Sequence, residues 1–131
     1  MKIAVVGSRG FPDKKFVILE TKKVFFDYAY LLDLTLVSGG ARGPDTWAEE
    51  AVNQAQEELN QELAGINIKK EIFKPEWDTH GKSAGFMRNE KIINEADLVL
   101  AFWDGASNGT KHSIDLARKN KKPINIYVRV V

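Results

Sequence analysis

Three short, mainly apolar runs, residues 3–6, 34–37 (interrupted only by Thr35) and 98–102, each stop at or within one residue of a cluster of Gly, Ser or Asp, and this constrains the fold more than any other feature. Near-continuous apolar runs of four or five residues suit strands covered on both faces, as in the middle of a parallel sheet. Parallel neighbours cannot be joined by a hairpin and need a crossover, usually a helix. The intervening segments supply that period. After an N-cap at Asp13, apolar positions at Val17, Ile18, Val24, Phe25, Tyr28, Leu31 and Leu32 predict a helix of roughly five turns. Trp47, Ala48, Ala51, Val52, Ala55 and Leu59 mark a second helix, with Gly65 as its C-cap. Residues 68–73 alternate as a third strand, and 75–82 have no period and read as a long loop. A third helix is expected over 83–96, a fourth strand over 97–102, a polar turn over 104–109, a fourth helix over 110–119 and a fifth strand over 124–128.

Strict β-α alternation defines an α/β chain of Rossmann-like, doubly wound build, with a mostly parallel five-stranded sheet and helices on both faces. The expected strand order is 3-2-1-4-5. With 131 residues and no linker or repeat, residues 1–131 read as a single domain. In such sheets ligands sit beyond the carboxyl ends of the strands where the order reverses, here between strands 1 and 4. The loops after strands 1, 2 and 4 should share one crevice.

Composition removes several classes of function. Lys and Arg number 19 against 18 Asp and Glu, a net charge of +1 that supplies no global field for nucleic acid, which is not the expected partner. There is no cysteine, and the only histidines are His80 and His112, so neither a disulfide nor a metal site is expected. No apolar run approaches the ~20 residues of a membrane span. A cytoplasmic location is the expectation, with no required cofactor.

The three loops hold the chemistry. Gly7, Ser8 and Arg9 follow strand 1; Ser38, Gly39, Gly40, Arg42, Gly43 and Asp45 follow strand 2; Asp104, Ser107, Gly109 and Thr110 follow strand 4. Glycines allow close backbone approach and positive φ. Each loop opens a helix, whose free N–H groups and dipole favour an anion. The hydroxyls add donors, and Arg9 and Arg42 add charge and fork geometry. One such loop would be ordinary turn chemistry, and Pro44 and Asp45 suit any helix start. Three converging loops point to a ligand-binding crevice. None is a Walker A loop or a GxGxxG fingerprint.

These stretches, with Pro75-Glu76-Trp77, Gly81-Lys82-Ser83-Ala84-Gly85, Arg88-Asn89 and the block from Ala101 to Thr110, resemble the SLOG superfamily of Rossmann-like domains over nearly the whole chain, and within it the YspA-type family. The Ser38 to Asp45 block is similar to the corresponding loop of the Smf-type DNA-processing proteins. The Gly109-Thr110 block is similar to that of the "lonely guy" phosphoribohydrolases and nucleoside deoxyribosyltransferases. The resemblance implies binding, sensing or sequestering of a phosphate-bearing nucleotide derivative, an ADP-ribose-like molecule among the candidates. It implies a role for Arg88 and Asn89 at the ligand and self-association through helices beside the pocket. Its alternatives are N-glycosidic hydrolysis or transfer, and single-stranded DNA binding.

The glycosidic enzymes carry Glu three residues after the Thr; here Ser113 stands there, which argues against that chemistry. Asp104 and, less well placed, Asp115 are the substitutes, although Asp104 equally suits a turn. Arg88 has an alternative as a solvated residue pairing with Glu90 or Glu95. Trp77, in the aperiodic loop, is a candidate for stacking on a base. His80 reads as an exposed loop residue and His112 as helical surface. The basic run 118–122 reads as a helix end.

Overall fold

The computed structural model describes residues 1–130. Strands β1 (Lys2–Gly7), β2 (Asp33–Ser38), β3 (Asn67–Ile72), β4 (Leu98–Trp103) and β5 (Ile124–Val128) alternate with helices α1 (Lys14–Asp27), α2 (Pro44–Asn60), α3 (Trp77–His80), α4 (Ala84–Glu95) and α5 (Asn108–Lys119). All pairings are parallel, and the order is β3-β2-β1-β4-β5, as the alternation predicts. β1 lies at the centre, with Ile3 in register with Leu36 on one side and Leu98 on the other.

The apolar runs are near-continuous because successive residues enter two different cores. Ile3, Val5, Leu36, Leu100 and Phe102 pack with Val17 and Phe25 of α1 and Ala48 and Val52 of α2. Ala4, Val6, Val37, Val99 and Ala101 pack on the other face with Ile92 and Ile93 of α4 and Ile114 and Ala117 of α5. Full burial of a side chain such as Leu36 or Ile93 contributes roughly 1.5–3 kcal/mol.

Four local expectations are corrected. The first helix stops at Asp27 after 14 residues, and the apolar pattern runs on through a 3-10 turn, Ala29–Leu31, to Leu32 at φ 66°. Ala29 stays buried there, which keeps the helical period while the backbone turns toward β2. Gly65 does not cap α2: the C-cap is Gln61, and Gly65, at φ 83°, shapes the turn before β3. Residues 75–82 are not all loop, since α3 and a 3-10 turn over Gly81–Ser83 lie there, too short to show a period. α5 also starts earlier than the pattern, at Asn108, because Ser107 is its N-cap and accepts the Thr110 N–H at 3.5 Å.

Candidate functional site

The loops after β1, β2 and β4 meet in one open crevice of about 370 Å³ at the carboxyl end of the sheet, beside the β1–β4 seam. Its wall includes Arg9, Asp45, Arg88, Asn89, Asp104 and Thr110. Gly7, Ser107 and Gly109 also face it.

The β1 loop is built around two small residues. A Cβ on Gly7 would fall 2.5 Å from Pro44 and 2.9 Å from the Phe102 carbonyl, so only glycine lets α2 begin here. Ser8 is buried, and its Oγ accepts the Asp104 N–H at 3.0 Å and lies 3.2 Å from Thr110 Oγ1. It joins the β1 loop, the β4 loop and α5, and it supports the crevice wall from behind. Arg9 is exposed and lines the opening.

The β2 loop folds back over Asp45. One carboxylate oxygen, Oδ2, accepts the N–H groups of Gly39 at 3.1 Å and Ala41 at 3.2 Å. Gly43, at φ 84°, is pressed against the Ser8 and Arg9 backbone. Ser38 is fully buried, and its hydroxyl accepts the Gly40 N–H at 3.4 Å. Burial pushes the Asp45 pKa up to about 6, against the opposing pull of the two N–H bonds and Arg88. Among the described residues the only buried side-chain polar atom without a partner is Thr21 Oγ1.

Arg88 crosses to that loop from α4. Its Nη1 donates to the Gly39 carbonyl at 3.2 Å and its Nε donates to Asn89 Oδ1 at 3.1 Å. It does not pair with Glu90 or Glu95; its electrostatic neighbours are Asp45 and Arg9. Burial lowers its pKa, Asp45 opposes that, and the charge of Arg9 adds to it. Asn89 Nδ2 lies 3.4 Å from the Gly109 carbonyl and 3.3 Å from His112 Nδ1. His112 is consequently not plain helix surface: it is half-buried and packs edge-on against Phe86.

Asp104 is a turn-former. Its Oδ1 accepts the N–H groups of Ala106 at 2.9 Å and Ser107 at 2.8 Å, and these bonds hold its pKa below the usual carboxylate range. Ser113 is buried in the crevice floor, while Asp115 points outward to Lys111 at 3.2 Å. His80 pairs with Glu76 at 3.3 Å. Arg42 is exposed and does not line the crevice; Ala41 does. Trp77 is 52% exposed and sits beside Gly85. Gly10 and Ile92 line the crevice without having been singled out, since neither a second loop glycine nor a core isoleucine carries a distinctive sequence signal. No group of His, Asp and Glu suited to a metal ion occurs among the described residues. No described helix is long and apolar enough to cross a membrane.

No family model matches the chain. Two solved structures share the fold. DNA processing protein A from Helicobacter pylori, whose structure concerns a single-stranded DNA binding mode, superposes with a TM-score of 0.61 at 24% identity, over 96% of this chain and 64% of that one. The present chain thus spans somewhat less than two thirds of that protein. The X-ray structure of TM1055 superposes with a TM-score of 0.63 at 19% identity, over 94% of this chain and 71% of that one. In sequence, the Gene 61 protein of Mycobacterium phage D29 is 32% identical over 124 residues, which is 94% of this chain and 93% of that protein. Similarity of that extent makes the chain a member of the family of the Mycobacterium phage D29 Gene 61 protein.

Proposed function

We propose that the crevice binds a phosphate-bearing nucleotide derivative, and that the protein acts as a YspA-type binding module in the cytoplasm rather than as an enzyme. One observation carries the reading. Arg9 and Arg88 converge on one crevice, within electrostatic reach of each other. Two guanidinium groups thus face the crevice with the Asp45 and Asp104 carboxylates, and Arg9, which makes no ion pair among the described residues, is left to meet a phosphate. The start of α5, with Gly109 at the wall, adds backbone N–H groups and a helix dipole of the right sign. An ADP-ribose-like molecule remains within this class.

The test is calorimetric titration of the full chain with a panel of nucleoside mono- and diphosphates and ADP-ribose, alongside thermal melting. A ligand at 100 times its Kd should stabilise the fold by roughly 2.7 kcal/mol. A panel without heat of binding and without thermal shift counts against the reading.

A second reading is binding of single-stranded DNA across the crevice mouth. It is supported by the fold shared with DNA processing protein A and by Arg42, exposed just outside the crevice. Charge neutralisation along a strand would make affinity fall steeply with salt, by roughly 0.7 log units per tenfold salt for each phosphate contacted. A short oligonucleotide bound with a flat salt response would remove this reading.

A further inference from the structure

Trp77 combines exposure with a fixed seat. It opens α3, it is 52% exposed, and a Cβ on Gly85 would meet its Cη2 at 3.4 Å. Gly85 lies three and four residues before Arg88 and Asn89, so the indole rests on the side of α4 that carries the two crevice residues. The vertical offset is one helical turn, about 5.4 Å. Long helical side chains lean toward the helix N-terminus, which carries Arg88 toward the level of Gly85. A large apolar ring left half in water contributes little to the core, and tryptophan is seldom placed that way for stability alone. A flat π surface just outside the crevice lining, one helical turn from a crevice arginine, is what a nucleobase needs, since any base can stack on it.

We propose that Trp77 is the base-binding subsite of the crevice, stacking the base of a nucleotide whose phosphate lies at Arg9 and Arg88. This rests on the crevice being a phosphate site. It extends that reading by assigning the ligand an aromatic base at the α3–α4 rim, so a sugar phosphate lacking a base should bind without using Trp77.

The full chain and its Trp77→Ala and Trp77→Phe variants would be titrated with adenosine 5′-monophosphate and with ribose 5-phosphate. Folding of each variant is checked by circular dichroism and melting, and the half-exposed position leads us to expect little change. Trp77→Ala should weaken binding of the nucleotide about 5- to 150-fold and leave that of ribose 5-phosphate unaltered. Trp77→Phe should restore most of the affinity while reducing the quenching of tryptophan emission by the nucleotide, with Trp47 and Trp103 still emitting. Equal affinity of parent and Trp77→Ala for the nucleotide overturns the subsite and leaves the phosphate site standing. An equal loss for both compounds also overturns it. Binding of neither compound by the parent protein overturns the subsite together with the reading of the crevice.

Discussion

Gly39 and Arg88 compete for one place: a methyl group on Gly39 would stand 2.1 Å from Arg88 Nη1. The obstructing atom is the tip of a flexible side chain, and Gly39 is not at positive φ. Gly39→Ala should therefore displace Arg88 from the loop, breaking its bond to the Gly39 carbonyl and its offset to Asp45, whose Oδ2 the methyl would also approach at 3.0 Å. The expected result is a lowered melting temperature, as for Arg88→Ala, and a nucleotide affinity lowered about tenfold or more, read by titration. An unchanged affinity would mean that the position of Arg88 does not matter to the ligand.

Gly7 presents the opposite case. Here an added methyl meets Pro44 at 2.5 Å and the Phe102 carbonyl at 2.9 Å, both held by the sheet and by α2. Gly7→Ala should cost about 1–3 kcal/mol, measured by urea unfolding. Ser8→Ala should fall in the same range, because the buried Ser8 Oγ is the side-chain acceptor for the Asp104 N–H.

The two crevice arginines should separate. Arg9 is exposed and makes no ion pair among the described residues, so Arg9→Ala should lower affinity with stability changed by no more than about 0.5 kcal/mol. Arg88 also binds the Gly39 carbonyl and offsets the charge of buried Asp45, so Arg88→Ala should lose both affinity and stability. Arg42→Ala should leave nucleotide binding intact, and would weaken only the binding of a DNA strand. Melting curves and titrations on the three variants check all of this together.

Asp45 gives a pH signature. Its native pKa of about 6 lies above the ordinary carboxylate value near 3.9, so the native state holds the proton more tightly than the unfolded chain. The favourable contribution is complete below the unfolded value and is lost as pH rises through 6. The expected loss between pH 4 and 7 is on the order of 2–3 kcal/mol. Asp45→Asn, which can keep an oxygen toward Gly39 and Ala41, should lack that part of the pH dependence. Urea unfolding of both proteins at pH 4.5 and 7.5 measures the difference; identical slopes would show that Asp45 titrates normally. An anion should also bind the parent more tightly at pH 5.5 than at pH 7.5, and bind Asp45→Asn with a flatter profile.

Catalysis of N-glycosidic cleavage should be absent. Ser113 occupies the crevice floor where the resembling enzymes carry Glu, and Asp104 Oδ1 is committed to two backbone N–H groups. Incubation with nucleoside monophosphates, deoxynucleosides and NAD, followed by chromatography, should release no free base above buffer controls.

The fold was largely legible because β1, β2 and β4 are buried on both faces and leave runs that no amphipathic helix produces. Alternation and handedness allow more than one doubly wound order, and the sheet has the expected one, 3-2-1-4-5. The elements misread were those in which tertiary contacts override local period: Ala29 buried in a 3-10 turn, and α3, a single turn inside an aperiodic stretch. In the site, loop glycines and hydroxyls stood out by composition, yet the sequence could not separate a hydroxyl that faces a ligand from one that braces the wall, as Ser8 does. Nor could it show that Asp45 turns inward to staple its own loop, since side-chain direction there is set by the folded loop, or that His112 reaches Asn89, 23 residues away in sequence.

The crevice draws its residues from both halves of the chain and both faces of the sheet: Arg9 and Asp45 come before β3, and Arg88, Asn89 and Thr110 after it. The junction between α2 and β3, exposed from Asn60 to Gly65 apart from half-buried Leu63, is the natural place to divide the polypeptide. Two fragments cut there would each carry half of the charge that faces the ligand, and would rejoin along β1–β4 and β2–β3. Any molecule that fills the crevice would act as a clasp between the pieces, so a split reporter built on this junction would light up in proportion to ligand.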